Sequence, residues 1–312
     1  MERLSFFKLP IIASLIYFLI SLLLYFLFTA LYFLNQLPYN VIGFIFSEIG
    51  RILINIFNHL FLETLWLFGL LSLMLHTANI YMVNKTNIRW LTLAMAILSF
   101  IAYFIRISIK FNFIGSGMLF ETINNLFWAM ISLLFYSLSI YYLIKFFAKY
   151  MVKNQSSFEL TTTNSVQIHF ILFAVFVSYL LLLGYNLIIN SIGQVYIIGA
   201  EQYRHLYLLN YFFILSILLG IFLAKRNFLC AFEKIQYVKL LKSVLIASGI
   251  MLICLFIDYY FVLYYMNKQY IDSYSVLLNS AYLIFLLLLQ PLLSCLVLNI
   301  VTRGYFMRQK SI

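Results

Sequence analysis

The chain is short of charge, of acidic groups and of cysteine. Of its 312 residues, 9% are charged and only nine are Asp or Glu. Its three cysteines, Cys230, Cys254 and Cys295, show no CxxC spacing, which argues against a disulfide framework and against a zinc site. The HExxH, P-loop and dinucleotide-binding patterns do not occur in the sequence. We therefore expect no metal, no other cofactor and no nucleotide-driven chemistry, and an enzyme is the less favoured interpretation.

Hydrophobic residues dominate instead, at 65% of the sequence, and the mean hydropathy is +1.02. They form long apolar segments, each near the ~20 residues that cross a bilayer as a helix. Because lipid offers the backbone no hydrogen bonds, such segments must be helical or form closed barrels. The sequence thus predicts an all-α fold, a transmembrane bundle of about eight helices without a soluble domain. The eight segments are 10–34, 60–82, 90–109, 122–143, 166–189, 206–223, 240–265 and 276–300.

The basic residues are divided unequally between the two sides of these segments. If the N-terminus lies in the cytoplasm, fifteen of the twenty Lys and Arg residues are cytoplasmic. The positive-inside rule associates such an excess with cytoplasmic loops, so we expect both termini inside and a plasma (inner) membrane location. The charges are split among short loops and do not form one basic face. This distribution favours membrane lipids over nucleic acid as partners. The five outer cations are Arg51, Arg106, Lys110, Arg204 and Lys268.

Proline and glycine are scarce for a membrane protein, with three and eleven residues. Only Pro291 is placed to interrupt a helix near the midplane, so we expect long and mostly continuous helices. No GxxxG pattern occurs, so the sequence does not indicate close small-residue packing of the glycophorin kind. The 33 Phe and 25 Tyr residues favour lipid-facing bulk and interfacial belts over an aromatic ligand cage.

A weak internal repeat would divide the single membrane domain, 1–312, into halves 1–153 and 154–312. A shift of about 153 residues aligns the first, third and fourth segments with the fifth, seventh and eighth. The same shift aligns Glu48 and Arg51 with Glu201 and Arg204. Four helices per half would make the repeat parallel. Helices of similar length also align by chance, and the second segment fits the sixth poorly, so both interpretations stay open.

A polar stripe marks the segment between the first two apolar runs. Residues 41–58 have helical periodicity, with Glu48, Arg51 and the neighbouring His59 near one side. This pattern predicts an amphipathic helix on the outer face, lying among the lipid headgroups. The alternative is that it extends the stripe to Glu63 and lines an outward-facing cavity.

Ionisable residues within the apolar segments are Glu63, His76, Arg106, His169 and Asp258. A charge near the bilayer centre costs roughly 2.5 to 3.5 kcal/mol, so such residues indicate either a functional site or a structural pair. Arg106 and Asp258 have similar estimated depths on the outer side, and we expect them to form an ion pair. A bis-histidine haem is disfavoured because His59 and His76 are out of phase on a helix.

Three functions follow from these observations. The leading one is a permease or translocation component for a small or lipid-like substrate. A non-catalytic subunit of an envelope complex, with protein partners in the membrane, is the second. A transferase acting on a lipid-linked substrate at the outer face is the third, with His59, His205 or Glu201 as base. The substrate-binding candidates are Glu48, Arg51, His59, Glu63, Arg106, Glu201, Arg204, His205 and Asp258.

The charge distribution yields a topology prediction. We expect single cysteines placed at Lys85, Lys149 and Glu233 to react only with thiol reagents that reach the cytoplasm. Cysteines at Gly117, Gln202 and Lys268 should react with an impermeant reagent added outside. External labelling at both Lys149 and Glu233 would contradict the eight-helix arrangement.

Overall fold

The computed structural model describes residues 2–34, 60–108, 118–154, 161–195, 200–229, 232–268 and 275–307. These residues are 88% helical and contain no strand, as expected for apolar sequence whose peptide groups must bond within a helix. The predicted amphipathic helix at 41–58 lies outside the described residues. The helices are α1 (Glu2–Leu34), α2 (Leu60–Thr77), α3 (Lys85–Ser108), α4 (Met118–Phe147), α5 (Thr162–Val195), α6 (Ala200–Ala224), α7 (Tyr237–Lys268) and α8 (Ser275–Thr302).

Seven of these helices contain a stretch long and apolar enough to cross a membrane. The all-α membrane fold is therefore confirmed at this level. Side chains of α6 are described only from residue 212 onwards, fewer than a span needs, so α6 stays a prediction as the eighth span. The side of the membrane on which the termini lie also stays a prediction. The seven stretches are Phe6–Phe28, Leu60–Thr77, Lys85–Phe104, Phe127–Phe147, Thr163–Ile188, Tyr237–Ile257 and Leu288–Met307.

The helices fall into two compact units. The first unit comprises Met1–Ile114 and Asn124–Phe158, and the second comprises Gly115–Ile123 and Glu159–Ile312. The first therefore holds α1 to α3 and most of α4, and the second holds α5 to α8. This division lies close to the halves 1–153 and 154–312, but duplication of one half into the other stays a prediction.

The core of the first unit is built from all four of its helices. Its buried apolar side chains recur every three or four residues along each helix, which is the periodicity of a single packed face. They include Leu9, Ala13 and Tyr17 of α1, Leu67, Leu71 and Leu75 of α2, Leu91, Met95 and Leu98 of α3, and Ile140, Ile144 and Phe147 of α4.

A left-handed residue ends α2. Asn79 has a φ of 54°, and the Ile80 N–H donates to the Leu75 carbonyl at 2.8 Å. This is the bonding pattern of a Schellman cap, in which Asn substitutes for the usual glycine. The predicted segment 60–82 therefore overran the helix, which ends at Thr77.

Two asparagines hold the connection that follows α2 against the end of α4. Asn87 donates from Nδ2 to the carbonyls of Met82 and Val152 and accepts from the Val152 N–H. The side chain of Asn154 accepts from the Tyr81 and Met82 N–H groups. Because these bonds join α3, α4 and the connection, they fix one end of the first unit.

In the second unit, α5 packs on α7, and α8 packs on both α6 and α7. Ser216, Gly220 and Ala224 recur every four residues on α6, and all three are buried. A Cβ on Gly220 would lie 2.9 Å from the Ser294 carbonyl oxygen of α8. The sequence has no GxxxG pattern to indicate this approach, but serine and alanine also permit close helix contact.

Both internal prolines lie within continuous helices. Pro10 is inside α1 and Pro291 is inside α8. Proline removes one backbone hydrogen bond, but membrane helices tolerate this where neighbouring groups satisfy the freed carbonyl. Neither residue interrupts its helix, in agreement with the expectation of continuous helices.

We predict that Gly220→Ala lowers the melting temperature of the purified protein. The added methyl group would collide with the α8 backbone, and overpacking of this kind costs about 1 to 3 kcal/mol. Gly249→Ala is the matched control because no atom lies within 4 Å of its ideal Cβ. The control should be neutral or stabilising by up to about 1 kcal/mol, since alanine favours helix. Equal melting temperatures for the two variants would contradict the close contact.

Candidate functional site

Of the five ionisable residues expected at membrane depth, Glu63, His76 and His169 have described side chains. Arg106 lies in α3 and Asp258 in α7, but only their backbones are described. They also belong to different units. Their expected ion pair therefore stays a prediction.

The remaining site candidates form two sets. Glu48, Arg51 and His59 lie outside the described residues. Glu201, Arg204 and His205 lie in the first turns of α6, which begins at Ala200. A helix there places Glu201 and Arg204 one turn apart on one face, as an interaction between them requires. Their side chains lie outside the described part, so the interaction itself stays a prediction.

Glu63 is the site candidate for which the structure describes a hydrogen-bond partner. The hydroxyl group of Tyr17 on α1 donates a hydrogen bond to Glu63 Oε2 on α2, with an O···O distance of 3.0 Å. The tyrosine is fully buried, whereas Glu63 is partly exposed.

The position of Tyr17 shows how deep this bond lies. Tyr17 is the central residue of the apolar stretch Phe6–Phe28, so roughly 17 Å of helix extends to each side of it. The ring of Phe6 lies 5.0 Å from that of His76, and Tyr17 meets Glu63, so α1 and α2 are antiparallel. Glu63 therefore lies opposite the middle of α1. Along its own helix, Glu63 is the fourth residue of the stretch Leu60–Thr77.

Further polar side chains lie at a similar level of the first unit. The ring of Tyr17 is 6.2 Å from that of Tyr136 on α4. Trp66, one turn from Glu63 on α2, donates from Nε1 to the Ser137 hydroxyl at 2.9 Å. One turn beyond Tyr17, the hydroxyl groups of Ser21 and Ser99 are 2.9 Å apart. We call this set the polar belt: Tyr17, Ser21, Glu63, Trp66, Ser99, Tyr136 and Ser137.

The polar belt links all four helices of the first unit. Its hydroxyl groups also bond within their own helices, as Ser99 does to the Met95 carbonyl and Ser137 to the Leu133 carbonyl. Ser99 and Ser137 thus each have one partner within their own helix and one on another helix.

His169 occupies a different setting at the start of α5. Its ring is almost fully buried, and Nδ1 lies 2.7 Å from the Ser165 carbonyl oxygen. Nε2 accepts from the Gln236 N–H at 3.0 Å. A carbonyl on one nitrogen and an N–H on the other require the neutral tautomer with the proton on Nδ1. His169 thus attaches the connection between α6 and α7 to α5, which is a structural role.

Sequence reasoning did not identify Tyr17, although a signal for it was present. Ser14, Tyr17 and Ser21 are spaced by three and four residues in an otherwise apolar helix, and all three are buried. Polar residues on one face of a membrane helix face the protein interior, because lipid cannot bond to them. The partner on α2 depends on tertiary packing and could not be read from this spacing.

Among the residues with described side chains, no group of three or more His, Cys, Asp or Glu residues could hold a metal ion. No protein family, curated protein or solved structure matches the chain. The functional interpretation of this chain therefore rests on the chemistry of the polar belt.

We predict that Tyr17→Phe destabilises the purified protein by about 0.6 to 1.7 kcal/mol, the range measured for hydrogen bonds inside membranes. The melting temperature in detergent is the measurement. Tyr142→Phe is the matched control, because that ring is exposed on α4. Tyr17→Phe should add little to Glu63→Leu, because each change removes the same bond. Fully additive losses would mean that the two groups do not interact.

Proposed function

We propose that the protein is a permease or translocation component for a small or lipid-like substrate. The seven apolar helices are compatible with a multi-pass membrane protein, which is the basis for the proposal. In the proposed arrangement, α6 is the eighth span, both termini are cytoplasmic and the membrane is the plasma (inner) membrane. The proposed 4+4 repeat corresponds to the two helical units.

The bond between Glu63 and Tyr17 is the observation that carries this proposal. An ionisable residue deep in a membrane protein is rare and typically marks a substrate, ion or proton pathway. Here the carboxyl group lies opposite the middle of α1 and is oriented by a buried hydroxyl group. Orientation by Tyr17 gives the carboxyl a defined direction for accepting a second donor from a substrate.

The other candidates complete the proposed path. Glu48, Arg51 and His59 precede α2 in sequence, and Glu201, Arg204 and His205 begin α6. With the proposed topology, both sets lie on the outer side, as do Arg106 on α3 and Asp258 on α7. We propose that the candidates of each unit bind substrate at the outer face and that Glu63 binds it deeper in the first unit.

Transport by reconstituted protein tests this function. Proteoliposomes would be loaded with an extract of small metabolites and lipids, and mass spectrometry would identify the compounds that cross the membrane. We expect the wild-type protein to move at least one compound, and Glu63→Gln to slow that compound at least tenfold. The reason is that glutamine keeps the shape of the side chain but cannot carry the negative charge.

Tyr142→Phe is the control for this measurement and should transport at the wild-type rate. A wild-type profile indistinguishable from that of empty vesicles would contradict the permease proposal. Equal transport rates for wild type and Glu63→Gln would support the permease proposal but show that Glu63 takes no part in transport.

A non-catalytic subunit of an envelope complex is the second candidate. The observation that favours it is the continuity of α1 and α8 through Pro10 and Pro291, because transporters commonly bind substrates at broken helices. Purification from cross-linked membranes would test it. A stoichiometric partner, together with wild-type activity of that complex in Glu63→Gln, would favour the subunit over the permease.

A further inference from the structure

The ends of the four helices of the second unit meet in one layer. Asn227, at the end of the 3-10 turn after α6, donates from Nδ2 to Asn299 Oδ1 at 2.6 Å and to Thr302 Oγ1 at 2.8 Å, both on α8. On the other side, the Ser165 hydroxyl donates to the Phe232 carbonyl and accepts from the Phe232 N–H. The connection between α6 and α7 is thereby fixed to α5 and to α8.

A cluster of rings lies beneath this connection. Phe228 stacks on Phe306 with ring centroids 4.4 Å apart, and it also contacts Phe170 and Phe173. Phe232 lies 6.5 Å from Phe306. Most of these rings are buried, so the layer is a packed aromatic floor with little freedom to rearrange.

Cations surround the aromatic floor. Six exposed basic side chains lie in the connection or at the adjoining ends of α7 and α8, and we call them the basic rim. Two of them are held over ring faces. The Lys239 ammonium is 4.7 Å from the centroid of Phe232, and that of Lys225 is 6.0 Å from the centroid of Phe170. The members of the basic rim are Lys225, Arg226, Lys234, Lys239, Lys242 and Arg303.

The basic rim coincides with the boundary of the apolar spans. The stretch Tyr237–Ile257 begins in this layer, and Leu288–Met307 ends in it. In a bilayer, such a boundary lies at the level of the lipid headgroups. Leu229 of the connection and Val238 at the start of α7 are 64% and 65% exposed, which places apolar surface beside the cations. Cationic groups beside exposed apolar side chains match a ligand that has a phosphate and acyl chains.

We propose that the basic rim is a binding site for the headgroup of an anionic phospholipid, with Lys225 and Lys239 as its central contacts. The phosphate lies against the two ammonium groups, and the acyl chains lie along Leu229 and Val238. Because the rings hold the ammonium groups in position, less side-chain freedom is lost on binding than at an unrestrained lysine. This site is independent of the transport proposed for the polar belt.

The first unit offers a matched comparison. Lys149 and Lys153 are exposed residues at the end of α4, and under the predicted topology they lie on the same side of the membrane as the basic rim. A double change to glutamine removes two charges from either place. A membrane that simply attracts cations would respond to both doubles alike. A specific binding site would lose lipid affinity mainly when the two lysines held over the rings, Lys225 and Lys239, are replaced.

Native mass spectrometry of the full-length protein, released from nanodiscs, measures the bound lipid. The nanodiscs would contain phosphatidylcholine with a variable fraction of phosphatidylglycerol. We expect the Lys225→Gln, Lys239→Gln double variant to weaken phosphatidylglycerol binding about 25-fold, at about fivefold for each exposed ammonium–phosphate ion pair that is lost. The Lys149→Gln, Lys153→Gln double should weaken it less than threefold.

Three further measurements make the result decisive. Glu233→Gln should tighten binding, because it removes a carboxyl group from the same connection without any loss of cations. Lys225→Arg with Lys239→Arg should retain binding, which separates loss of charge from loss of folding. Added inorganic phosphate should fail to displace the lipid, since it lacks the acyl chains.

The proposal is overturned by any of three outcomes. These are equal losses in the two glutamine doubles, equal affinity of the wild-type protein for the two lipids, and displacement by inorganic phosphate at the concentration of the lipid. The last of these would mean that the rim recognises phosphate alone.

Discussion

A peptide group inside a bilayer has no water to bond with, and the rest of this structure follows from that constraint. Each unsatisfied backbone group in hydrocarbon costs several kcal/mol, so the chain is helical through its apolar stretches, even across Pro10 and Pro291. Polar side chains obey the same constraint. The hydroxyl groups of Ser21 and Ser99 bond to each other between helices, and Ser99 also bonds to the carbonyl one turn earlier. The polar groups differ in whether their hydrogen-bond partners lie on the same helix or on a neighbouring one.

Much of the fold could be predicted from hydropathy, because the need to satisfy backbone hydrogen bonds within the bilayer acts on each apolar segment separately. Seven of the eight predicted segments correspond to helices with membrane-spanning stretches. Their ends were less accurate. α4 extends over Met118–Phe147, beyond the predicted 122–143, since polar residues at a helix end can reach the headgroup region. α2 stops at Thr77 because Asn79 adopts a left-handed conformation, which apolar periodicity does not encode.

The candidate site was harder to predict, because it depends on contacts between helices. Glu63 stood out in the sequence as an acidic residue in an apolar segment, but its apparent depth was measured along its own helix. Its contact with Tyr17, the central residue of the stretch Phe6–Phe28 on α1, does not follow from spacing along α2. Tyr17 is one of 25 tyrosines, and composition alone gives no reason to choose it. The packing of α6 on α8 was missed for a related reason, since Ser216, Gly220 and Ala224 form a small-residue stripe without a GxxxG pattern.

Two ionisable side chains show how polar contacts join neighbouring segments in this chain. His169 and Glu63 both bond to a neighbouring segment, and each bond closes a junction between elements. His169 lies near the start of α5, where the helix meets its polar connection, so a polar side chain there needs no explanation beyond the junction that it holds. Glu63 lies opposite the middle of α1, where an apolar side chain would join the same helices without the cost of burying an ionisable group. The proposed substrate path gives this carboxyl group a role that packing alone does not require.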